Sequence, residues 1–150
     1  MAGQQTIGSG VDVSDLDEIK EENLSAAISM AADLAEKLGT VIAVSGKIDV
    51  ISDGRKTCVL RNGRATMARI TGSGCMLTAL IGAFCGAYED SFLAACAAMA
   101  AMGISGEIAE EKRLRNGTGN ATFRNDLIDA LFNLTEEQLK QGVRYEIYKR

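Results

Sequence analysis

One run in this chain has the texture of a strand buried on both faces. It is "TVIAVSG", residues 40–46, continuous, apolar and rich in β-branched residues. Strands of parallel sheets read this way because helices cover both of their faces. A lone strand of that kind cannot build a parallel sheet, so the chain reads as part of an α/β layered domain. A single, partial domain over residues 1–150 is the expectation.

The elements around the strand follow from local pattern. Leu24, Ala27, Ile28, Ala31, Leu34, Ala35 and Leu38 recur at helical spacing, and Gly39 follows as a stop. Upstream, Ser14 with Asp17 three residues on is a candidate cap. Downstream, "KIDVISDGRKTCVLRNGRATMARI" alternates short β-prone runs with Asp53-Gly54 and Asn62-Gly63. Both dipeptides tolerate positive φ, and a three-stranded meander is predicted with Lys47, Asp49 and Asp53 on its solvated surface. A glycine turn leads into an apolar helix from about Ser73 to Tyr88. A long alanine-rich helix begins at Ser91, and "NGTGNATF" is a loop. "FRNDLIDALFNL" is an amphipathic helix, and in "TEEQ" Thr135 and Gln138 take the paired roles of a capping box.

Composition narrows the chemistry. Net charge is −4 with no basic patch, so nucleic acid is not the expected partner. There is no histidine, which removes the commonest general base and metal ligand. The cysteines, Cys58, Cys75, Cys85 and Cys96, show no metal-type spacing, and reduced thiols in a cytoplasmic protein fit best. Cys58, Cys85 and Cys96 read as core. The polar N-terminus lacks the order of a signal peptide, and the apolar stretch from Phe92 to Ile104 is too short for a membrane span.

Two places could carry chemistry. In "TGSGC", residues 71–75, glycines stand between a β-prone run and a helix. Their backbone N–H groups can approach an anion, and the first helical turn adds unsatisfied donors and a positive dipole end. Cys75 lies in that turn. The pattern is neither GxxxxGK[ST] nor GxGxxG. A plain strand-to-helix turn, with Cys75 as a small buried residue, explains it equally well on physical grounds. Ser45 and Gly46 end the "TVIAVS" strand, and ligands gather at the carboxyl ends of strands in open α/β sheets. Ser45 is thus a candidate phosphate contact, although a Ser-Gly turn alone accounts for it.

In order and spacing, "GTVIAVSGKIDVISDG", "VLRNGRATMARITGSGCMLTALIGAFCGA", "AAMAAMGISGEIAEE" and "GTGNATFRNDLIDALFNL" resemble the C-terminal part of hydroxyethylthiazole kinases. The likeness runs from about Gly3 to about Leu134. That family is ribokinase-like, which implies a three-layer α/β/α sandwich. Members with an aspartate base after the glycines phosphorylate sugars or hydroxymethylpyrimidine, whereas the thiazole kinases resemble this chain in having cysteine there. The resemblance implies transfer of the γ-phosphoryl group of ATP, with Mg²⁺, to the hydroxyl of 4-methyl-5-(2-hydroxyethyl)thiazole in thiamine biosynthesis or salvage. It places Cys75 at the catalytic position, Gly74 at the phosphate through its backbone, Gly72 at the thiazole and Ser45 at ATP. The family's Mg²⁺ ligands, an ATP-binding arginine and a thiazole-contacting methionine belong to an N-terminal half that this chain does not carry. The resemblance further implies a homotrimer with sites between subunits. Two alternatives stand beside it: a non-catalytic truncated remnant or half-domain that needs a partner chain, and a different ribokinase-like kinase such as that of hydroxymethylpyrimidine.

Overall fold

A computed structural model describes residues 19–150. Ser14 and Asp17, the candidate cap, lie outside the described residues. The first helix, α1 (Leu24–Leu38), buries Leu24, Ala31, Ala32 and Ala35 and stops at Gly39, whose φ of 62° only glycine adopts without strain. Strands β1 (Ile42–Val44), β2 (Asp49–Ser52) and β3 (Lys56–Leu60) follow. Next come a short 3₁₀ helix (Ala65–Arg69) and α2 (Ser73–Ala87). Then α3 (Ser91–Asn116), α4 (Asn120–Phe132), α5 (Glu136–Gly142) and β4 (Tyr145–Lys149) complete the chain.

The four strands form one antiparallel sheet in the order β1-β2-β3-β4, with Val44 opposite Val50, Ile51 opposite Cys58 and Cys58 opposite Ile147. Side chains alternate across it. Val50 and Val59 point to α1, where Leu24 and Ala31 join them. Ile51, Cys58 and Leu60 point the other way, onto Phe92, Ala95, Met99 and Ala100 of α3. Helices therefore cover both faces, and the arrangement is a three-layer α/β/α sandwich built on a short sheet. A third cluster joins Ile70, Met102 and Ala109 to Phe123 and Leu127, and fixes α4 to α3.

Several sequence expectations are corrected. "TVIAVS" is not an inner parallel strand: β1 is an edge strand, antiparallel to β2, with Ala43 and Ser45 exposed and its neighbours half-buried. Asp53-Gly54 does make the β2–β3 hairpin, with the Arg55 and Lys56 N–H groups donating to Asp53 Oδ1 at 2.9 Å. Gly54 has φ 87°, and a Cβ there would lie 3.0 Å from the Glu36 backbone. Asn62-Gly63 makes no hairpin. The chain turns instead toward the 3₁₀ helix, and β4 supplies the partner for β3 from the far end of the sequence.

The reason lies at Asn62, which is buried. Its Oδ1 accepts from the Arg144 N–H at 2.9 Å, and its Nδ2 donates to the Gly142 carbonyl at 2.9 Å. Glu107 of α3 accepts from the Gly63 N–H at 2.9 Å and pairs with Arg144. The residues of the expected turn are thus a clasp between α3 and the entry to β4.

The alanine-rich helix is longer than the apolar run suggests. Over Ser91–Asn116 it is long and apolar enough to cross a bilayer by length and composition, yet 78% of its most apolar 18-residue window is buried inside this fold. Asp90 caps it by accepting from the Leu93 N–H at 3.0 Å. At α5 the Thr135–Gln138 capping box forms as read.

Candidate active site

The turn at residues 71–75 is shaped by Gly72. Its φ of 91° places it in the region that favours glycine, and it caps α2 with no side-chain hydrogen bond at the cap. The first intrahelical bond runs from the Met76 N–H to the Gly72 carbonyl at 2.9 Å. The N–H groups of Ser73, Gly74 and Cys75 precede it in the first turn, where backbone donors have no helical acceptor. Among the described residues, a Cβ at Gly72 or Gly74 would meet nothing within 4 Å. Helix α2 carries no charged residue, and its positive dipole end is not neutralised by an acidic side chain in its first turn. Anion binding by close backbone approach is the chemistry that such a turn performs.

Cys75 is exposed in this first turn. It is not the small buried residue that a purely structural reading of the turn requires. The rest of α2 also differs from expectation. None of its 15 residues is buried, although Leu77 and Ile81 pack against the Phe92–Met99 cluster and Met76, Leu77 and Leu80 against the Phe123 cluster. Cys85 is exposed rather than core, whereas Cys58 is buried and Cys96 half-buried as expected.

Ser45 is exposed at the end of β1. Because β1 is an antiparallel edge strand here, the argument from the carboxyl end of an inner parallel strand does not support Ser45 within this chain. Beside it stands a residue that the sequence reading placed on the surface. Asp49 is buried, and its Oδ1 accepts from the Gly46 N–H at 2.9 Å. Burial pushes the Asp49 carboxyl up to about 7, against the single N–H that lowers it. The Ser45-Gly46 turn is thus held from below by a carboxyl group. Both Val41, just before β1, and Leu77 and Ile81 of α2 border the Ile51–Phe92 cluster, so the two candidate elements share one core.

The clasp at Glu107 was missed by the sequence reading too. Burial pushes its carboxyl up, but the Arg144 guanidinium and the Gly63 N–H outweigh burial and hold it below the ordinary value. The available signal was "MGISGE". Gly103 and Gly106 sit inside a helix where glycine is disfavoured, and each admits a close neighbour: Asn62 at Gly103 and Met67 at Gly106.

Comparison with known proteins gives the family. A family model described as the hydroxyethylthiazole kinase family matches residues 1–137. The chain belongs to the hydroxyethylthiazole kinase family. It is 43% identical over 145 residues to hydroxyethylthiazole kinase 2 of Methanosphaera stadtmanae, covering 96% of this chain and 51% of that protein. It is 46% identical over 144 residues to the hydroxyethylthiazole kinase of Ruminiclostridium cellulolyticum, covering 96% and 50%. The solved structure of the hydroxyethylthiazole kinase protein from Pyrococcus horikoshii OT3 superposes with a TM-score of 0.75 at 29% identity, over 86% of this chain and 49% of that one. The chain thus spans about half the length of the curated relatives it matches, corresponding to their C-terminal part.

Proposed function

We propose that this chain supplies the phosphate-binding turn and the acid–base residue of an ATP-dependent hydroxyethylthiazole kinase, acting with the rest of the family's length. The observation that carries the reading is the exposed Cys75, seated directly after Gly72 in a helical turn of open N–H donors. The acceptor hydroxyl oxygen attacks the γ-phosphorus of ATP, the bond to the β-phosphate bridging oxygen breaks, and ADP leaves. The hydroxyl proton passes to the sulfur of Cys75, which acts as the thiolate and leaves the step as the thiol. The Ser73, Gly74 and Cys75 N–H groups stabilise charge on the transferring oxygens, which is the larger task in phosphoryl transfer. Gly72 lies against the thiazole because it has no side chain to exclude it, and the Ser45 hydroxyl contacts ATP.

Among the described residues, no group of three His, Cys, Asp or Glu side chains could hold a metal ion. The resemblance to the family places the Mg²⁺ ligands in the N-terminal half of the family's length. A cytoplasmic setting, a role in thiamine biosynthesis and a trimeric working unit extend the same reading. Cysteine at position 75, where other ribokinase-like kinases resemble one another in having aspartate, weighs against hydroxymethylpyrimidine as the acceptor. The half-length coverage supports a second reading, a half-domain that is inactive until completed.

The test is Cys75→Ser in an active assembly, with ADP release measured against thiazole alcohol and ATP. General acid–base assistance is typically about 10²–10⁴-fold, so kcat should drop at least tens-fold while the KM for ATP changes little. An unchanged kcat would leave residues 71–75 as an anion-binding turn and end the catalytic role of Cys75.

A further inference from the structure

We propose that Asp49 is a positioning residue for nucleotide binding, and that it takes up a proton as ATP settles on the Ser45-Gly46 turn. The inference rests on the kinase reading, in which the Ser45 hydroxyl contacts ATP, and deepens it by coupling that contact to pH.

The turn is tied to the sheet through a side chain. Pairing of β1 with β2 ends at Val44 opposite Val50, and residues 45–48 lie beyond it. There the Gly46 N–H donates to Asp49 Oδ1 at 2.9 Å. Asp49 itself is fixed, because it pairs with Leu60 of β3 in the ladder and every residue of β2 is buried. The exposed Ser45 is thus referenced to the interior of the sheet through the N–H of its neighbour. A contact residue on a loop keeps its geometry only where a rigid element supports it.

Asparagine at position 49 could accept the same N–H with no charge to bury, so what a carboxyl adds there is its titration. Side chains alternate along β2, and Asp49 faces the α3 side with Ile51, Cys58 and Leu60, away from Val50 and α1. Among the described residues, that side of the sheet also carries Lys56, which lies over the Phe92 ring at 4.4 Å, and the Cys58 and Cys96 thiols, which hydrogen-bond each other. Tyr145 stands opposite Leu60, and Glu107 is paired with Arg144. Helix α2 carries no charged residue, and Lys47, in the turn, acts on Glu21. What acts on the Asp49 carboxyl is burial, which raises it to about 7, against the Gly46 N–H, which lowers it. The group therefore changes charge across neutral pH. The neutral acid keeps an oxygen for the Gly46 N–H and places no negative charge behind the turn. The carboxylate draws water toward a buried position and repels a polyphosphate held at Ser45. Both effects have the same sign, and ATP favours the protonated form.

The experiment compares the parent with Asp49→Asn and Asp49→Leu. Hydrogen exchange of the Gly46 amide is read on the chain alone. ATP binding is read by calorimetry on the chain joined to the rest of the family's length. The Kd of the parent for ATP should rise about tenfold from about pH 6 to about pH 8, because a group titrating at about 7 leaves roughly a tenth of the molecules protonated at the upper end. Asp49→Asn should keep the low-pH affinity throughout, and the ratio of the two curves removes the titration of ATP itself. In buffers of different ionisation heat, the parent should take up about one proton more per ATP than Asp49→Asn at the upper pH. Asp49→Leu should speed exchange of the Gly46 amide and weaken ATP binding at every pH, with little change in kcat at saturating ATP, because the Cys75 turn is untouched. If leucine unfolds the chain, the asparagine comparison still decides. Equal Gly46 exchange in the parent and Asp49→Leu overturns the positioning role. Parallel pH curves for the parent and Asp49→Asn, in an assembly that releases ADP with thiazole alcohol, overturn the proton coupling and leave the kinase reading. Divergent ATP curves in an assembly that phosphorylates no thiazole alcohol do the reverse. No ATP bound at any pH ends both.

Discussion

Helices α2 and α3 are both apolar, and they end in opposite environments. Half of the 26 residues of α3 are buried, including Ala94, Ala98, Met99 and Met102, because the sheet lies on one side and α4 and α2 on others. None of the 15 residues of α2 reaches that state. Hydrophobicity along a helix states that a covering is needed and says nothing about which chain supplies it. In α3 the covering is local; in α2 it is half present. The candidate site turn sits on the half-covered helix.

The comparison can be broken most directly with two phenylalanines. Phe123 is fully buried between α4 and α3, whereas Phe84 on α2 is half-buried along an open apolar groove with Leu80, Leu131 and Leu139. Phe123→Ala should cost about 3–5 kcal/mol, the usual range for emptying a packed core site. Phe84→Ala should cost less than half as much in this chain. Urea unfolding of both variants decides it, and equal losses would mean that α2 is packed as well as α3.

Two carboxyl groups, half-buried Glu107 and buried Asp49, sharpen the contrast by sign. Glu107, in the clasp, is held below its ordinary value, so its contribution is present above the unfolded value of about 4.3 and is lost as pH falls through the folded one. Glu107→Gln should cost about 1–3 kcal/mol at pH 7 and progressively less below pH 4. Asp49, under the Ser45-Gly46 turn, is raised to about 7. Its contribution is present below the unfolded value of about 3.9 and is lost as pH rises toward 7. Asp49→Asn keeps an acceptor for the Gly46 N–H, and should match the parent near pH 4 and exceed its stability by up to about 4 kcal/mol at pH 8. Stability–pH curves of the same slope for both variants would remove the distinction between a paired and an uncompensated carboxylate.

What was legible in the sequence was local. The stop of α1 at Gly39, the extent of α2 from Ser73 and the Thr135–Gln138 cap are each set by residues within one helical turn. The position of the glycine turn was legible for the same reason. What was not legible depends on distant partners. Asn62-Gly63 has the chemistry of a hairpin, but Arg144, Gly142 and Glu107 claim its polar groups. Strand β4 is fully exposed and rich in charge, so no buried pattern announced it. β1 has the composition of an inner strand and stands at an edge of the sheet that the described residues form, because composition does not report where a strand stands in the order.

The smallest expected effect is also the one that separates the helices most cleanly, because one substitution should change sign between them. Alanine is favoured over glycine in a helix interior by about 0.5–1 kcal/mol, provided that there is room for its methyl group. At Gly82 there is room: nothing stands within 4 Å, so Gly82→Ala should raise the stability of this chain by up to that amount. At Gly103 the methyl carbon would lie 2.7 Å from Asn62 Cβ and 3.0 Å from its backbone carbon. The Asn62 side chain cannot swing away, because its amide bonds Gly142 and Arg144, and the backbone is fixed by the Gly63–Glu107 bond. Gly103→Ala should therefore cost about 1–3 kcal/mol, the usual penalty of overpacking, and loosen the attachment of β4 with it. Thermal unfolding gives both values, and exchange at the amides of Tyr145–Lys149 reports the second consequence. A gain at both glycines would show that the clasp yields to a methyl group; a loss at both would show that α2 is already covered.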